Sequence, residues 1–380
     1  MATPSLLQPL TLRDVTLPNR VMVSPMSQYA ARDGVAGDWH LVHVGRFALG
    51  GAGLVMAEAT AVTPDGRRTP GDLGLWEDAQ VAPLARVAEF LERNGAVPGI
   101  QLGHAGRKAS ERRPWHREAP LDDEDVQQRG EHPWEAIAPS SLPYDEGWPV
   151  PREMTLDDIE SVVAAFGSAA ARARDAGFRV VEVYAGHGFL LHQFVSPIAN
   201  QRNDDYGGDL EGRTRIVVEV AERIRTEWPA ELPLSFRLSV TDWLDDGWTV
   251  AETIELARRL GDAGVDLIDC TSGGIGGGRR VRFPLGQGYQ VPLAERVRHE
   301  AGIATATVGM IWDPAFAEQV IADGRADLVA LARELLDDPN WTLHAAAALD
   351  DPGDFDRWPV EAGWWLDKRH RAVTKLGLRP

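Results

Sequence analysis

Cysteine is almost missing from this chain: Cys270 is the single one among 380 residues. One thiol cannot supply a disulfide framework, a cysteine-ligated zinc site or an iron–sulfur cluster within one chain. Lying in the apolar run from Val265 to Cys270, it reads as a small buried core residue. Long hydrophobic runs are missing too. No window approaches the ~18 apolar residues of a membrane span, and Met1 to Asn19 lacks the apolar core of a secretion signal. The expectation is a cytoplasmic protein with no membrane partner. Basic charge is scarce: 39 Lys and Arg stand against 57 Asp and Glu, a net charge of −18. Nucleic acid is therefore not an expected partner, because phosphate binding wants a basic excess. The acidity favours solubility. No cluster of His, Asp and Glu has metal spacing, and no Ser/His/Asp arrangement announces a hydrolase. No strand is followed by G-x-G-x-x-G. Gly273-Gly274-Ile275-Gly276-Gly277-Gly278 is a glycine-rich loop that opens no convincing helix, a weak dinucleotide fingerprint.

What is present is a regular alternation. Hydrophobic content of 44% and charged content of 25% are those of a soluble globular protein. The length admits one large α/β barrel or two ordinary domains. Short apolar runs predict strands at Arg20 to Val23, Leu54 to Ala57, Val97 to Leu102 (broken by Pro98), Val180 to Tyr184, Leu234 to Val240, Val265 to Cys270, Ile303 to Val308 and Asp327 to Leu331. Helical spacing falls between them at Trp39 to Leu49, Ala79 to Arg93, Thr155 to Ala176, Glu211 to Trp228, Val250 to Ala263, Pro292 to Glu300 and Asp313 to Ala322, with a last helix at Pro339 to Leu349. Continuous rather than alternating apolar strands suit a parallel sheet covered on both faces. Eight such units predict a (β/α)8 TIM barrel over residues 1–349. An open doubly wound sheet is the alternative. Two long insertions interrupt the pattern, Ala105 to Pro151 after strand three and Gly186 to Leu210 after strand four, as loops that build a site or its lid do. The tail, residues 350–380, carries Trp358, Trp364 and Trp365 among charges. It is expected to dock on its own barrel or on a neighbouring subunit.

Barrel enzymes place their chemistry at the C-terminal ends of the strands. Strand four ends in Tyr184-Ala185-Gly186-His187-Gly188-Phe189, two hydrogen-bonding side chains with glycines flanking the histidine. The other ends offer Ser24-Pro25-Met26-Ser27, Glu58-Ala59, Gln101, Arg237, Thr271-Ser272, Gly309-Met310 and Ala332-Arg333. Arg237 stands inside an apolar strand and needs an anionic or carbonyl partner. The ends of strands seven and eight are where barrels commonly hold a phosphate. Polar recognition and a phosphate cradle without a strong acid, base or nucleophile describe a protein whose bound cofactor carries the chemistry.

The motifs at these ends run in order along nearly the whole chain. They are Ser24-Pro25-Met26, the run from Gln101 through His104-Ala105-Gly106-Arg107-Lys108, Ala138-Pro139-Ser140, the run from His187 through Phe194-Val195-Ser196-Pro197 and Asn200-Gln201-Arg202 to Tyr206-Gly207-Gly208, Arg237-Leu238-Ser239, Gly309-Met310, and Arg333 to Pro339. Together they resemble the old yellow enzyme family of FMN-dependent ene-reductases, in particular its bacterial xenobiotic-reductase branch. The resemblance implies that Ser24, Pro25, Met26, Ser27, Ala59 and Gln101 hold the flavin ring and that Arg237 lies by its N1/O2 edge. It implies that Gly309, Met310, Ala332 and Arg333 bind the FMN phosphate. Tyr184 and His187 become the catalytic pair on the substrate's carbonyl or nitro oxygen. Tyr29, Phe189 and Trp365 line the substrate pocket. NADPH or NADH is the implied hydride donor, a small molecule the substrate, and a homodimer or homotetramer the assembly.

Three positions depart from the family pattern. Ser27 stands where this branch usually has Cys, which implies a shifted flavin potential. Tyr184 stands where ene-reductases have His or Asn, and Tyr-x-x-His is similar to the amine dehydrogenase relatives, which need cysteines this chain lacks. Phe189 stands where most members have the Tyr that protonates the substrate's α-carbon. The readings that follow are reduction of activated alkenes, dehydrogenation of a small ketone or amine, and a non-catalytic flavin-binding barrel.

Overall fold

A computed structural model describes residues 3–276, 281–350 and 355–378 of the chain. Gly277 and Gly278 of the glycine-rich loop, and residues 351–354 and 379–380 of the tail, lie outside the described residues. Eight parallel strands form the centre: β1 Val21–Val23, β2 Leu54–Ala61, β3 Val97–Gly103, β4 Val180–Ala185, β5 Leu234–Ser239, β6 Leu267–Thr271, β7 Ala304–Thr307 and β8 Leu328–Leu331. Each pairs with the next in chain order, and β8 pairs back onto β1, so the eight close into a barrel, with the two-residue strand Leu73–Gly74 paired alongside the end of β2. The expected (β/α)8 barrel is observed, and closure rules out the open sheet.

Eight helices surround the strands: α1 Asp38–Leu49, α2 Val81–Arg93, α3 Leu156–Asp175, α4 Leu210–Glu227, α5 Val250–Asp262, α6 Val291–Ala301, α7 Pro314–Ala322 and α8 Trp341–Leu349. Their starts follow local chemistry. The Thr155 hydroxyl accepts the Asp158 N–H while the Asp158 carboxylate accepts the Thr155 N–H, closing the expected capping box at α3. Thr249 and Glu252 do the same at α5. Each such cap stabilises its helix by about 1 kcal/mol. The strands are buried on both faces, every residue of β4 but Tyr184 and every residue of β5 and β6 being inaccessible.

Three local features differ from expectation. β3 runs unbroken through Pro98, because a proline near a strand's start removes one N–H without ending the ladder. β2 extends four residues beyond Ala57, through a bulge between Ala57 and Ala59 that lets the polar Glu58 and Thr60 stay buried in the strand. A hairpin, Leu10–Leu12 with Val15–Leu17, precedes β1. At its turn Arg13 donates to the Ala230 and Gly264 carbonyls and pairs with Asp266 at 2.7 Å, tying the hairpin to the loops that lead into β5 and β6.

The long insertion after β3 is folded down by the helix Asp123–Arg129 and by a short strand pair, Ile137–Ala138 with Arg152–Glu153. The insertion after β4 contains the short helix Leu190–Val195. The tail forms the helix Val360–Lys375. Before that helix, Trp358 packs its ring 5.6 Å from His344 of α8.

Candidate functional site

The turn after β4 is the most constrained backbone of the barrel mouth. His187 has φ +50, a left-handed conformation that non-glycine residues adopt only when neighbours enforce it. Its N–H donates to Ser239 Oγ at 2.8 Å, and the Lys108 ammonium donates to its carbonyl at 3.0 Å. The next N–H, of Gly188, donates to His192 Nδ1 at 2.8 Å. That contact assigns the tautomer of His192, whose Nε2 faces Asp242 Oδ1 at 2.9 Å with both side chains fully buried. Burial pushes the Asp242 carboxyl up, but His192 and three hydrogen bonds outweigh it and hold it below the usual range. Across the gap, Gly274 must be glycine: a Cβ there would stand 2.5 Å from the His187 Cα.

On this turn the Tyr184 hydroxyl and His187 Nδ1 lie 2.8 Å apart, and His187 Nε2 lies 2.8 Å from Thr271 Oγ1 at the end of β6. Both imidazole nitrogens are thus engaged. A neutral ring donates through only one of them, so Thr271, His187 and Tyr184 form a single directional chain. Burial, then the Arg237 charge, pulls His187 well below the usual histidine range. Burial pushes Tyr184 up to about 12. Both are neutral at pH 7. The Phe189 ring lies 4.2 Å from that of Tyr184.

Beside this turn, three adjacent strands contribute one buried ionisable side chain each. Arg237 of β5 faces its register partner Asp269 of β6, with Nε 3.2 Å from Oδ2. Glu182 of β4 accepts from the Gln101 amide at 2.8 Å. Burial, then the Asp269 charge, pushes Glu182 up to about 8. Burial raises Asp269 as well, and the carboxylates around Arg237 raise its guanidinium despite its burial. Asp269 is the anionic partner that an arginine in an apolar strand required.

Two buried hydroxyls at the ends of β1 and β7, Ser24 Oγ and Thr307 Oγ1, have no hydrogen-bond partner. Buried polar groups are seldom left so. Farther round, a cavity of about 350 Å³ opens at the ends of β7 and β8, lined by Gly309, Met310, Ala332 and Arg333 among others. Gly309 has φ +120, and a Cβ on it would meet Gln290 Nε2 at 2.8 Å. Met310 also has positive φ, so consecutive amides here turn away from regular structure into a concavity of the kind that binds anions.

The expected site residues mostly converge on this mouth. Tyr29, also at positive φ, accepts from Arg68 at 3.3 Å and packs edge-on against Trp115. Tyr29 and Arg68 are both among the charges that act on Tyr184. Trp365 is apart: it is 64% exposed, and its ring meets Trp364 and the Lys368 ammonium. Glu182, Asp269, His192 and Asp242 were not among the expected residues. The signal for the first two was a charge in the middle of each apolar strand flanking Arg237.

Residues 5–351 match the NADH:flavin oxidoreductase / NADH oxidase family. The NADPH dehydrogenase of Geobacillus thermodenitrificans is 42% identical over 365 residues, covering 94% of this chain and 98% of its own. The chain belongs to the old yellow enzyme family. An NADH:flavin oxidoreductase of Gibberella zeae is 43% identical over 344 residues, covering 87% of this chain and 82% of its own. The solved structure of morphinone reductase superposes with a TM-score of 0.75 at 28% identity, covering 91% of this chain and 90% of that one. As an old yellow enzyme the protein is an FMN-dependent oxidoreductase driven by a nicotinamide nucleotide. The residues present fit that cofactor. The unpartnered Ser24 and Thr307 hydroxyls and the Arg237 guanidinium can donate to the polar edge of a flavin ring, and the concave backbone beside Arg333 suits a phosphate dianion. Among the described residues no group of His, Cys, Asp and Glu forms a metal site. No helix among them is long and apolar enough to cross a membrane.

Proposed function

We propose that this old yellow enzyme reduces activated alkenes, namely α,β-unsaturated ketones, aldehydes, imides or nitroalkenes, with NADPH or NADH as electron source. The observation that carries the reading is the neutral hydrogen-bonded chain of Thr271, His187 and Tyr184, with Tyr184 in register with Arg237 on the neighbouring strand. FMN, when bound, supplies hydride transfer. Ser24, Pro25, Met26, Ser27, Ala59 and Gln101 would hold its ring, Arg237 its electron-rich edge, and Gly309, Met310, Ala332 and Arg333 its phosphate.

The rest is done by the chain's own side chains. With Thr271 donating to His187 Nε2, the imidazole donates from Nδ1 to the Tyr184 oxygen. The phenol proton of Tyr184 is then free to point at the substrate's carbonyl or nitro oxygen. Negative charge grows on that oxygen as hydride arrives at the β-carbon, so the chain acts as an oxyanion hole; one such donor lowers the barrier by roughly 3–4 kcal/mol. Because both groups are neutral at pH 7, neither drains charge from the substrate before the reaction. Tyr29 and Phe189 would flank the substrate, and Phe189 stacks on Tyr184, fixing the ring plane. A homodimer or homotetramer would bring Trp365 of one copy to another's mouth, which its exposure on a single chain supports. Sedimentation at micromolar concentration tests the assembly.

The activity test is anaerobic mixing with NADPH, followed by 2-cyclohexenone, N-methylmaleimide or a nitroalkene. Bleaching of the yellow band by the nucleotide and its return with the alkene are expected. Bleaching that no alkene reverses sinks the alkene reading.

A further inference from the structure

Hydride addition to an alkene leaves a carbanion equivalent, so the reduction is complete only when an acid protonates the α-carbon. Phe189 has no proton to give. Around the donor chain, one side chain carries a compact, chemically labile proton source: Lys108, on the short helical turn Gly106–Lys108 after β3. It is 93% removed from solvent, being only 7% exposed. Its ammonium donates to the His187 carbonyl at 3.0 Å and sits 4.8 Å from the Tyr144 ring centroid and 6.0 Å from that of Phe189. No carboxylate is paired with it among the described ion pairs. A buried lysine without a counter-ion is costly and needs a reason.

We infer that Lys108 is the acid of the reaction, its ammonium delivering the proton that the α-carbon requires. The inference rests on the alkene-reduction reading. In the step, a lysine N–H bond breaks and a C–H bond forms at the α-carbon, directly or across one water. The C=C electron pair displaced by hydride becomes that C–H bond. Lysine is left as the neutral amine and regains a proton from solvent. Hydride and its electrons come from the nicotinamide donor.

The rival acids are worse placed. Tyr184 is held up to about 12 by burial, and His187 is neutral because burial and Arg237 keep it so. Glu182 lies two residues back along β4 from Tyr184, a step of about 6.6 Å, and Asp269 is held against Arg237. Burial, then Arg68, brings Lys108 down to about 7, where it is both protonated and ready to release. The groups facing it are Arg68 after β2, Arg107, Glu111 and Glu118 after β3, Tyr144 of the long insertion, and His187 on the turn after β4. Arg68 is itself paired with Glu111 and Glu118, which blunts both signs.

The test compares wild type, Lys108→Met and Lys108→Met/Phe189→Tyr in the two half-reactions. Losing a positioned acid slows protonation by about 10²-fold or more. Lys108→Met should therefore slow alkene reduction about 10²-fold while bleaching by NADPH changes far less. Phe189→Tyr, which sets a phenol on the ring beside Lys108 and Tyr184, should restore most of the rate. The wild-type alkene step should fall off as pH rises through about 7, and that limb should vanish in Lys108→Met. Independently of turnover, the Lys108 13Cε resonance should titrate near 7, away from the other lysines near ~10.4. Equal slowing of both half-reactions with no rescue would make Lys108 a scaffold residue and overturn the assignment. So would a Lys108→Met enzyme as fast as wild type. A wild type that bleaches with NADPH but reduces no alkene overturns the function reading as well, and is recognised before any variant is made.

Discussion

The mouth over β4, β5 and β6 and the mouth over β7 and β8, which we propose serve one cofactor, are built from different materials. The first is built from titratable side chains: Glu182, Arg237, Asp269 and Lys108, all buried, with the half-buried Tyr184 and His187 beside them. The second is built from backbone, with Gly309 and Met310 at positive φ and a single arginine, Arg333. On that proposal the difference follows from what each would hold. A phosphate keeps its charge throughout the reaction, and fixed amide dipoles with one cation are enough for it. A redox ring and its substrate change charge during the reaction, so the field around them must come from groups whose protonation is set by burial and by one another.

Breaking the side-chain half should do the most damage. Arg237→Met leaves Asp269 buried without its cation, and removing one partner of a buried pair typically costs 3–5 kcal/mol. Denaturant unfolding should show the loss together with failure to retain FMN, and Asp269→Asn in the same chain should recover part of the stability. An unchanged midpoint would mean that these groups are not electrostatically coupled. Next comes Tyr184→Phe. It should keep the fold and the yellow colour, weaken p-hydroxybenzaldehyde binding and slow alkene reduction by about 10²-fold. Breaking the backbone half should look different: Arg333→Met removes one charge-assisted contact, about 1.5–3 kcal/mol. FMN should dissociate roughly tenfold or more readily, read by ultrafiltration, while the enzyme that stays loaded reacts at the wild-type rate. If Arg333→Met slows the loaded enzyme as much as Tyr184→Phe does, the two halves are not separable.

The effect with least bearing on turnover lies beside both. Burial pushes Glu58, in the bulge of β2, up to about 8, so the folded chain keeps a proton there that the unfolded chain releases above about 4.5. Wild-type stability should therefore decline as pH rises from 5 to 8, by up to roughly 3–4 kcal/mol from this group. Glu58→Gln should flatten that decline. A slope unchanged by the substitution would place the carboxylate in an ionised, paired state instead.

Much of this was legible in the residues. The eight apolar runs locate the eight strands to within a few positions, because a parallel strand buried on both faces must be apolar throughout. Where that logic fails, a polar group has been buried for a reason: Glu58 and Thr60 continue β2 past the apolar run, held in by the bulge and by Gln28. The hairpin before β1 is too short and too polar to stand out, and depends on Arg13 reaching residues more than two hundred positions away. At the site, Tyr184, His187 and Arg237 announce themselves by type and position. Their couplings do not. Arg237 meets Asp269 only through strand register, and His192 meets Asp242 only because the turn folds back over β5. Such contacts are properties of the closed barrel rather than of any segment.

The left-handed backbone at His187 also sets which replacements the chain can absorb there. Of the common alternatives, asparagine enters that region most readily, and branched side chains such as valine, isoleucine and threonine enter it least. A saturation library at this codon, sorted for soluble yellow protein before any assay of turnover, should therefore return asparagine, aspartate and glycine in excess over the branched aliphatics. Anyone redesigning the catalyst for new substrates would find the adjacent Tyr184 a far more permissive handle.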